Sequence, residues 1–310
     1  AYHRDAPFSA ELIGNRRLIA RASSARGAVA APPDRHARRP SVAHRLAVAA
    51  AADGHRVLTY GTSAADALPG GPVPGSEAHV RLEVTGRRGS GTSARLTRTG
   101  SDGAVTAGPV DLELAVPGDH VALDAAGAWA AGLELGVAPA TMADGLAEFG
   151  GTGRRFEDRG EADGVRVVDD YAHHPTEVAA LLTTAREVAD ERGGRVLVLF
   201  QPHLFSRTRN FADRFGEALT SADVVVLAPI YPARETQADF PEVTGATVAD
   251  LVPGARYVAD RVASAEAVAD AARPGDLLLT VGAGDVTELA DVVLARLRRR
   301  ESLTGETTAR

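Results

Sequence analysis

Five apolar runs, VRVVDDYA, RVLVLFQP, ADVVVLAPI, ARYVAD and DLLLTVGAG, alternate with helical segments that begin near Pro175, Arg209, Val243, Ala263 and Asp285. Strands that are apolar throughout must be covered on both faces, and a helix after each strand is the connection that parallel pairing requires. The pattern predicts a Rossmann-like, doubly wound α/β domain with a mainly parallel sheet over residues 153–300. In such sheets ligands bind beyond the carboxyl ends of the strands, where the direction of the crossovers reverses.

That edge is rich in chemistry. The first run ends in Asp169, Asp170, Tyr171, His173 and His174, with Pro175 suited to a first helical position where its missing N–H costs nothing. The second delivers Gln201, His203, Arg207 and Arg209, and the third Tyr231, Arg234 and Glu235. The last ends in Gly282 and Gly284, which would let the backbone approach a ligand and offer N–H groups at a helix start. Each has a structural alternative: His174 or Asp169 suits the cap of the following helix, Arg209 a solvated helix-start charge, and GAGD a simple tight turn. Convergence on one edge favours a site, because unrelated structural roles would scatter over both edges.

Upstream, residues 46–152 predict a partial α+β domain. HRVLTYGTS is a strand; the stretch from AHVRLEV to LELAVPG alternates apolar and polar residues between glycine turns, as antiparallel hairpins do. Two helices follow, ending at Gly136 and Gly150, and the charged turn TGRRFEDRGEADG marks the boundary. Residues 1–45, rich in Arg, Ala, Ser and Pro, have no sustained period and are expected to be irregular, with a helix at 41–54 as the alternative; 301–310 is expected to be a tail.

Composition removes several function classes. Cys is absent, which excludes disulfides, zinc thiolates and a cysteine nucleophile, and a net charge of -7 argues against a general nucleic-acid binder. No apolar run is long enough to insert in a membrane and the start lacks the order of a secretory signal, so a soluble, cytoplasmic protein is expected. Lys is also absent, all 34 basic residues being Arg, so the chain has no G-x-x-x-x-G-K-[ST] phosphate loop.

DDYAHHPTEV, FQPHLFSRTR, YPARE and GAGD, in this order and after FGGTGRRFE at 149–157, resemble the C-terminal domain of the Mur ligases and part of their central domain, over roughly residues 46–300. The doubled His before Pro, with QPH and SRTR, is most similar to the UDP-N-acetylmuramate:L-alanine branch. The resemblance implies ATP-dependent amide-bond formation in peptidoglycan synthesis: ATP phosphorylates the carboxylate of UDP-N-acetylmuramate, L-alanine attacks the acyl phosphate, and magnesium neutralises the phosphates. It implies a nucleotide role for Asp170, near the ribose, and a closed active site lined by Tyr171, His173 and His174. Arg207, with His203, Arg209 and Tyr231, is implied for the alanine carboxylate or the developing phosphate charge.

Adenine contacts are implied for the stretch GDHVALDAAG, where His120 matches the family but Val121 and Asp124 stand in place of amides. Asp119 there suits a plain helix cap. No metal ligand is assigned. The family's UDP-binding domain and ATP loop precede everything matched here, so the chain alone is expected to be inactive. A non-catalytic nucleotide- or precursor-binding module, or a truncated gene product, is the alternative.

Overall fold

The computed structural model describes residues 10–12, 17–21, 42–62 and 72–308, and the chain divides into two compact units, Ala1–Gly150 and Gly151–Arg310. The remainder of the expected irregular segment, other than the described residues, lies outside this description.

The first unit holds a six-stranded sheet in sequence order. Strands β1 (Ala10–Leu12) and β2 (Arg17–Arg21) form an antiparallel pair, and β2 lies parallel to β3 (Arg56–Gly61). The expectation of an irregular 1–45 is corrected at these two strands. RLIAR is too short to show a period, and its strand state comes from pairing with β3, which lies far along the chain. Helix α1 (Val42–Ala52) connects them and buries Ala47 against Val57 and Val73.

The predicted hairpins are β4 (Ser76–Arg88), β5 (Gly91–Gly100) and β6 (Val105–Leu114), antiparallel to one another, while β4 lies parallel to β3. Their inward residues, among them Val80, Leu82, Leu96 and Leu112, bury against α2 (Asp119–Glu134), which contributes Trp129. The indole N–H of Trp129 donates to Pro139 O at 3.0 Å, tying α2 to α3 (Pro139–Ala147). Asp119 is not the cap: the N-cap is Gly118, and Asp119 takes a two-pronged ion pair from Arg87.

The second unit is the predicted α/β domain, with six strands in the order β11-β10-β9-β12-β8-β7. Strands β8 (Val165–Asp170), β9 (Val196–Phe200), β10 (Val224–Leu227), β11 (Arg256–Tyr257) and β12 (Leu277–Val281) are parallel. Helices α4 (Pro175–Arg192), α5 (Phe205–Leu219) and α6 (Ala246–Ala249) cover one face, burying Val168, Val198, Phe200 and Leu279. Helices α7 (Arg261–Ala271) and α8 (Leu289–Thr308) cover the other, over Val167, Leu197, Leu199 and Leu278. Successive residues of one strand thus serve opposite cores, which is why these runs carry no polar alternation.

Two boundaries differ from expectation. The charged stretch at 157–162 is an edge strand, β7 (Glu157–Ala162), antiparallel to β8. Charges on a strand with one open edge discourage pairing with another chain, and they also hide the strand from a hydrophobicity pattern. The tail expected at 301–310 continues α8 as far as Thr308. Among the described residues, no helix is long and apolar enough to cross a membrane.

Candidate functional site

The crossovers reverse at β12, which lies between β8 and β9 although it follows both in sequence. The carboxyl ends of these three strands, joined by that of β10, bring the predicted residues together.

At the end of β8, Asp169 is fully buried and accepts from Thr280 Oγ1 at 2.6 Å and from Arg154 Nε at 3.0 Å. It caps no helix. Asp170 accepts from the backbone N–H groups of Phe156 at 2.9 Å and Ala172 at 2.7 Å, one on each carboxylate oxygen. Burial pushes its carboxyl up to about 6 despite those two bonds. The residue implied for the ribose therefore also holds two segments of main chain.

His174 fulfils the capping alternative. Its Nδ1 accepts from Thr176 N at 3.3 Å, while Glu177 Oε2 accepts from His174 N at 3.2 Å and from His173 N at 3.0 Å, with Pro175 in the first turn. The His174 ring meets Phe211 edge-on at 5.2 Å. Burial, aided by the Arg214 charge, holds its imidazole below the ordinary value.

Tyr171, His173, His203 and Tyr231 form a row of rings. Centroid separations are 5.3 Å, 6.2 Å and 5.6 Å in turn, the last pair being stacked. The loops after β9 and β10 are zipped to hold it: Tyr231 N donates to Pro202 O at 2.8 Å and Leu204 N to Tyr231 O at 2.9 Å. Burial and then the Arg207 charge depress the His203 imidazole, so it is neutral at neutral pH. Its Nδ1 is buried with no hydrogen-bond partner among the described residues. Arg207 acts electrostatically on both His174 and His203, which places its guanidinium in this group.

Arg209 is not brought to the row. It is exposed and lies over Phe240 at 5.0 Å, which stacks on Phe205. His120 and Asp124 belong to α2 of the first unit, Asp124 on its exposed side.

The glycines of the loop after β12 meet close packing within the protein. A Cβ at Gly282 would lie 2.5 Å from Gln201 O, and one at Gly284 would lie 2.4 Å from Gln201 Oε1 and 2.5 Å from Tyr231 Cγ. The close approach that demands glycine is made by Gln201 and Tyr231, and Gln201 also takes Val286 N and donates to Asp285 Oδ1 at 2.7 Å. The loop is shaped by the protein's own side chains.

Sequence reasoning missed Arg154. Its guanidinium donates to Asp169, to Gly284 O at 3.1 Å and to Gly282 O at 2.5 Å; it also lies over the Tyr171 ring at 4.9 Å. Its own carbonyl accepts from Tyr171 N at 2.7 Å. One residue thus ties the start of this unit to the ends of β8 and β12. The only signal in the sequence was its position beside Gly153 in the junction motif.

Among the described residues no group of three His, Asp or Glu side chains could hold a metal ion. The donors that magnesium needs are not brought together among these residues.

Asp170 makes the stability of the second unit pH-dependent. A carboxyl raised from 3.8 to about 6 binds its proton more tightly when folded. Its stabilising contribution is therefore complete below pH 3.8 and is lost as pH rises through about 6, by an amount on the order of 3 kcal/mol. Urea unfolding from pH 4 to 7, wild type against Asp170→Asn, is expected to show this falling component in the wild type only. Parallel pH profiles for the two proteins would remove Asp170 as its source.

Residues 154–284 match the family model described as Mur ligase, glutamate ligase domain. The UDP-N-acetylmuramate–L-alanine ligase of Kineococcus radiotolerans is 53% identical over 251 residues, covering 80% of this chain and 48% of that protein. Its counterpart from Mycolicibacterium smegmatis is 47% identical over 250 residues, covering 80% and 48%. Among solved structures, the UDP-N-acetylmuramate-alanine ligase of Thermotoga maritima superimposes with a TM-score of 0.57 at 24% identity, over 80% of this chain and 52% of that one. The chain spans about half the length of the curated relatives it matches.

Proposed function

The chain carries a Mur ligase C-terminal domain, and on that premise we propose that it is the amino-acid-receiving part of a UDP-N-acetylmuramate:L-alanine ligase of the cytoplasm. The observation that carries the reading is the row Tyr171, His173, His203 and Tyr231 with Arg207 beside it, at the reversal point of the sheet.

In this reading the terminal phosphoryl group of ATP passes to the carboxylate of UDP-N-acetylmuramate, giving an acyl phosphate and ADP. The amine of L-alanine attacks the acyl carbon, and the tetrahedral adduct expels phosphate to leave the amide. Arg207 holds the alanine carboxylate, since a guanidinium offers a planar, permanently charged fork. An ammonium cannot attack, so the amine must lose a proton; the His203 imidazole, held below its ordinary value, is the base this group of residues offers. Tyr171 and His173 wall the pocket, and Asp170 belongs to the nucleotide side of the proposal. His174 contributes as the cap that orients this turn, and Arg209 as a surface charge at its margin.

The test supplies the half of the relatives that this chain does not span. Fused behind the preceding half of the Kineococcus ligase, the chain is expected to release phosphate from ATP only when both UDP-N-acetylmuramate and L-alanine are present. A folded chimera that binds nucleotide yet releases no phosphate would refute ligase function and favour a binding module.

A further inference from the structure

Helix α5 begins without a cap of its own. Its N-cap residue is Leu204, an apolar side chain on a backbone with φ of 69°, and no side chain of the N-cap accepts a helix N–H. Orphan N–H groups at a helix start are normally satisfied by a polar residue at that position.

The missing acceptor comes from another loop. Glu235 lies after β10, 29 residues beyond Ser206; its Oε2 accepts from Ser206 N at 2.9 Å and its Oε1 takes the Ser206 hydroxyl. The turn that delivers it is specific: Glu235 N donates to Pro232 O at 2.9 Å, and Ala233 adopts a φ of 52°. Burial opposes the charge of Glu235, but the bonds from Ser206 outweigh it and hold the carboxyl below its ordinary value. A full negative charge therefore sits at the positive end of the helix.

Two further contacts fasten the same loop to the same turn. Tyr231 stacks on His203 at 5.6 Å, and Phe240 stacks on Phe205 at 5.9 Å. Arg207 is the next residue after Ser206, so the turn clamped by Glu235 is the turn that carries it.

We infer that Glu235 is a positioning residue: by capping α5 from the neighbouring loop it fixes the turn bearing Arg207 against the His203–Tyr231 stack, and so sets the affinity for the incoming amino acid's carboxylate. The carboxylate role rests on the function proposed above; the positioning of Arg207 does not.

Two measurements separate them. In the 310-residue chain, Glu235→Ala is expected to speed amide exchange at Ser206 about tenfold, the equivalent of one lost cap, and to loosen the Arg207 side chain as read by its Nε relaxation. Glu235→Gln, whose amide oxygen still accepts from Ser206 N–H, is expected to restore both. In the chimera, Glu235→Ala is expected to raise KM for L-alanine about tenfold, far more than it lowers kcat, with Glu235→Gln recovering most of the loss. An Arg207 side chain equally ordered in wild type and Glu235→Ala overturns the inference, as does an unchanged alanine KM in an active chimera. A chimera silent with the wild-type sequence counts against the proposed function alone, and Arg207 relaxation then decides the positioning role.

Discussion

Replacing Arg154 with alanine is expected to cost about 3 kcal/mol of unfolding free energy, the lower part of the range for breaking a buried ion pair from one side. Asp169 is fully buried, whereas the Arg154 side chain is 23% exposed, so water reaches the cavity's rim and tempers the loss. What remains is a carboxylate left with the Thr280 hydroxyl and two buried glycine carbonyls, Gly282 O and Gly284 O, without the Arg154 donors. The urea midpoint should fall with little change in slope.

Two companion variants identify the cause. Adding Asp169→Asn should recover much of the loss, because the stranded charge is gone while Thr280 keeps an acceptor. Arg154→Gly should be the milder single change: Arg154 has a φ of 60°, and glycine removes the cost of that backbone, roughly 1 kcal/mol. A loss below about 1 kcal/mol in Arg154→Ala would mean that the clamp is a surface pair in effect.

Arg207→Ala in the chimera is expected to lower kcat/KM for L-alanine by about 10²–10³-fold, the effect of removing one partner from a desolvated charge pair. The KM for UDP-N-acetylmuramate should stay near its starting value, since the lost contact is to the amino acid. Arg207→Lys should recover little, because an ammonium is a point charge and cannot reproduce the two-pronged geometry. Unchanged alanine kinetics in Arg207→Ala would take this residue out of the site.

The central parallel strands were readable because they are buried on both faces, so every residue of runs such as Val196–Phe200 reports the same apolar environment. Strand β7 was not, since an edge strand of Glu, Asp and Arg shows no such pattern, and β2 was not, since its state depends on β3. At the site, Tyr171, His173, His203 and Tyr231 were legible as residues placed at strand ends. Their order in one row was not, and neither was the choice of His174 over Asp169 as the cap of α4.

By itself the sequence determined a doubly wound second unit and the edge on which its polar residues gather, because burial imposes a period that shows within a single short segment. Only the tertiary structure decided who holds whom: Arg154 bonded to Gly284, 130 positions away, Glu235 capping α5, and the glycines of GAGD shaped around Gln201 and Tyr231. A hydrogen bond is decided by ångström-scale position and direction, and those are set by crossovers that bring distant strand ends side by side.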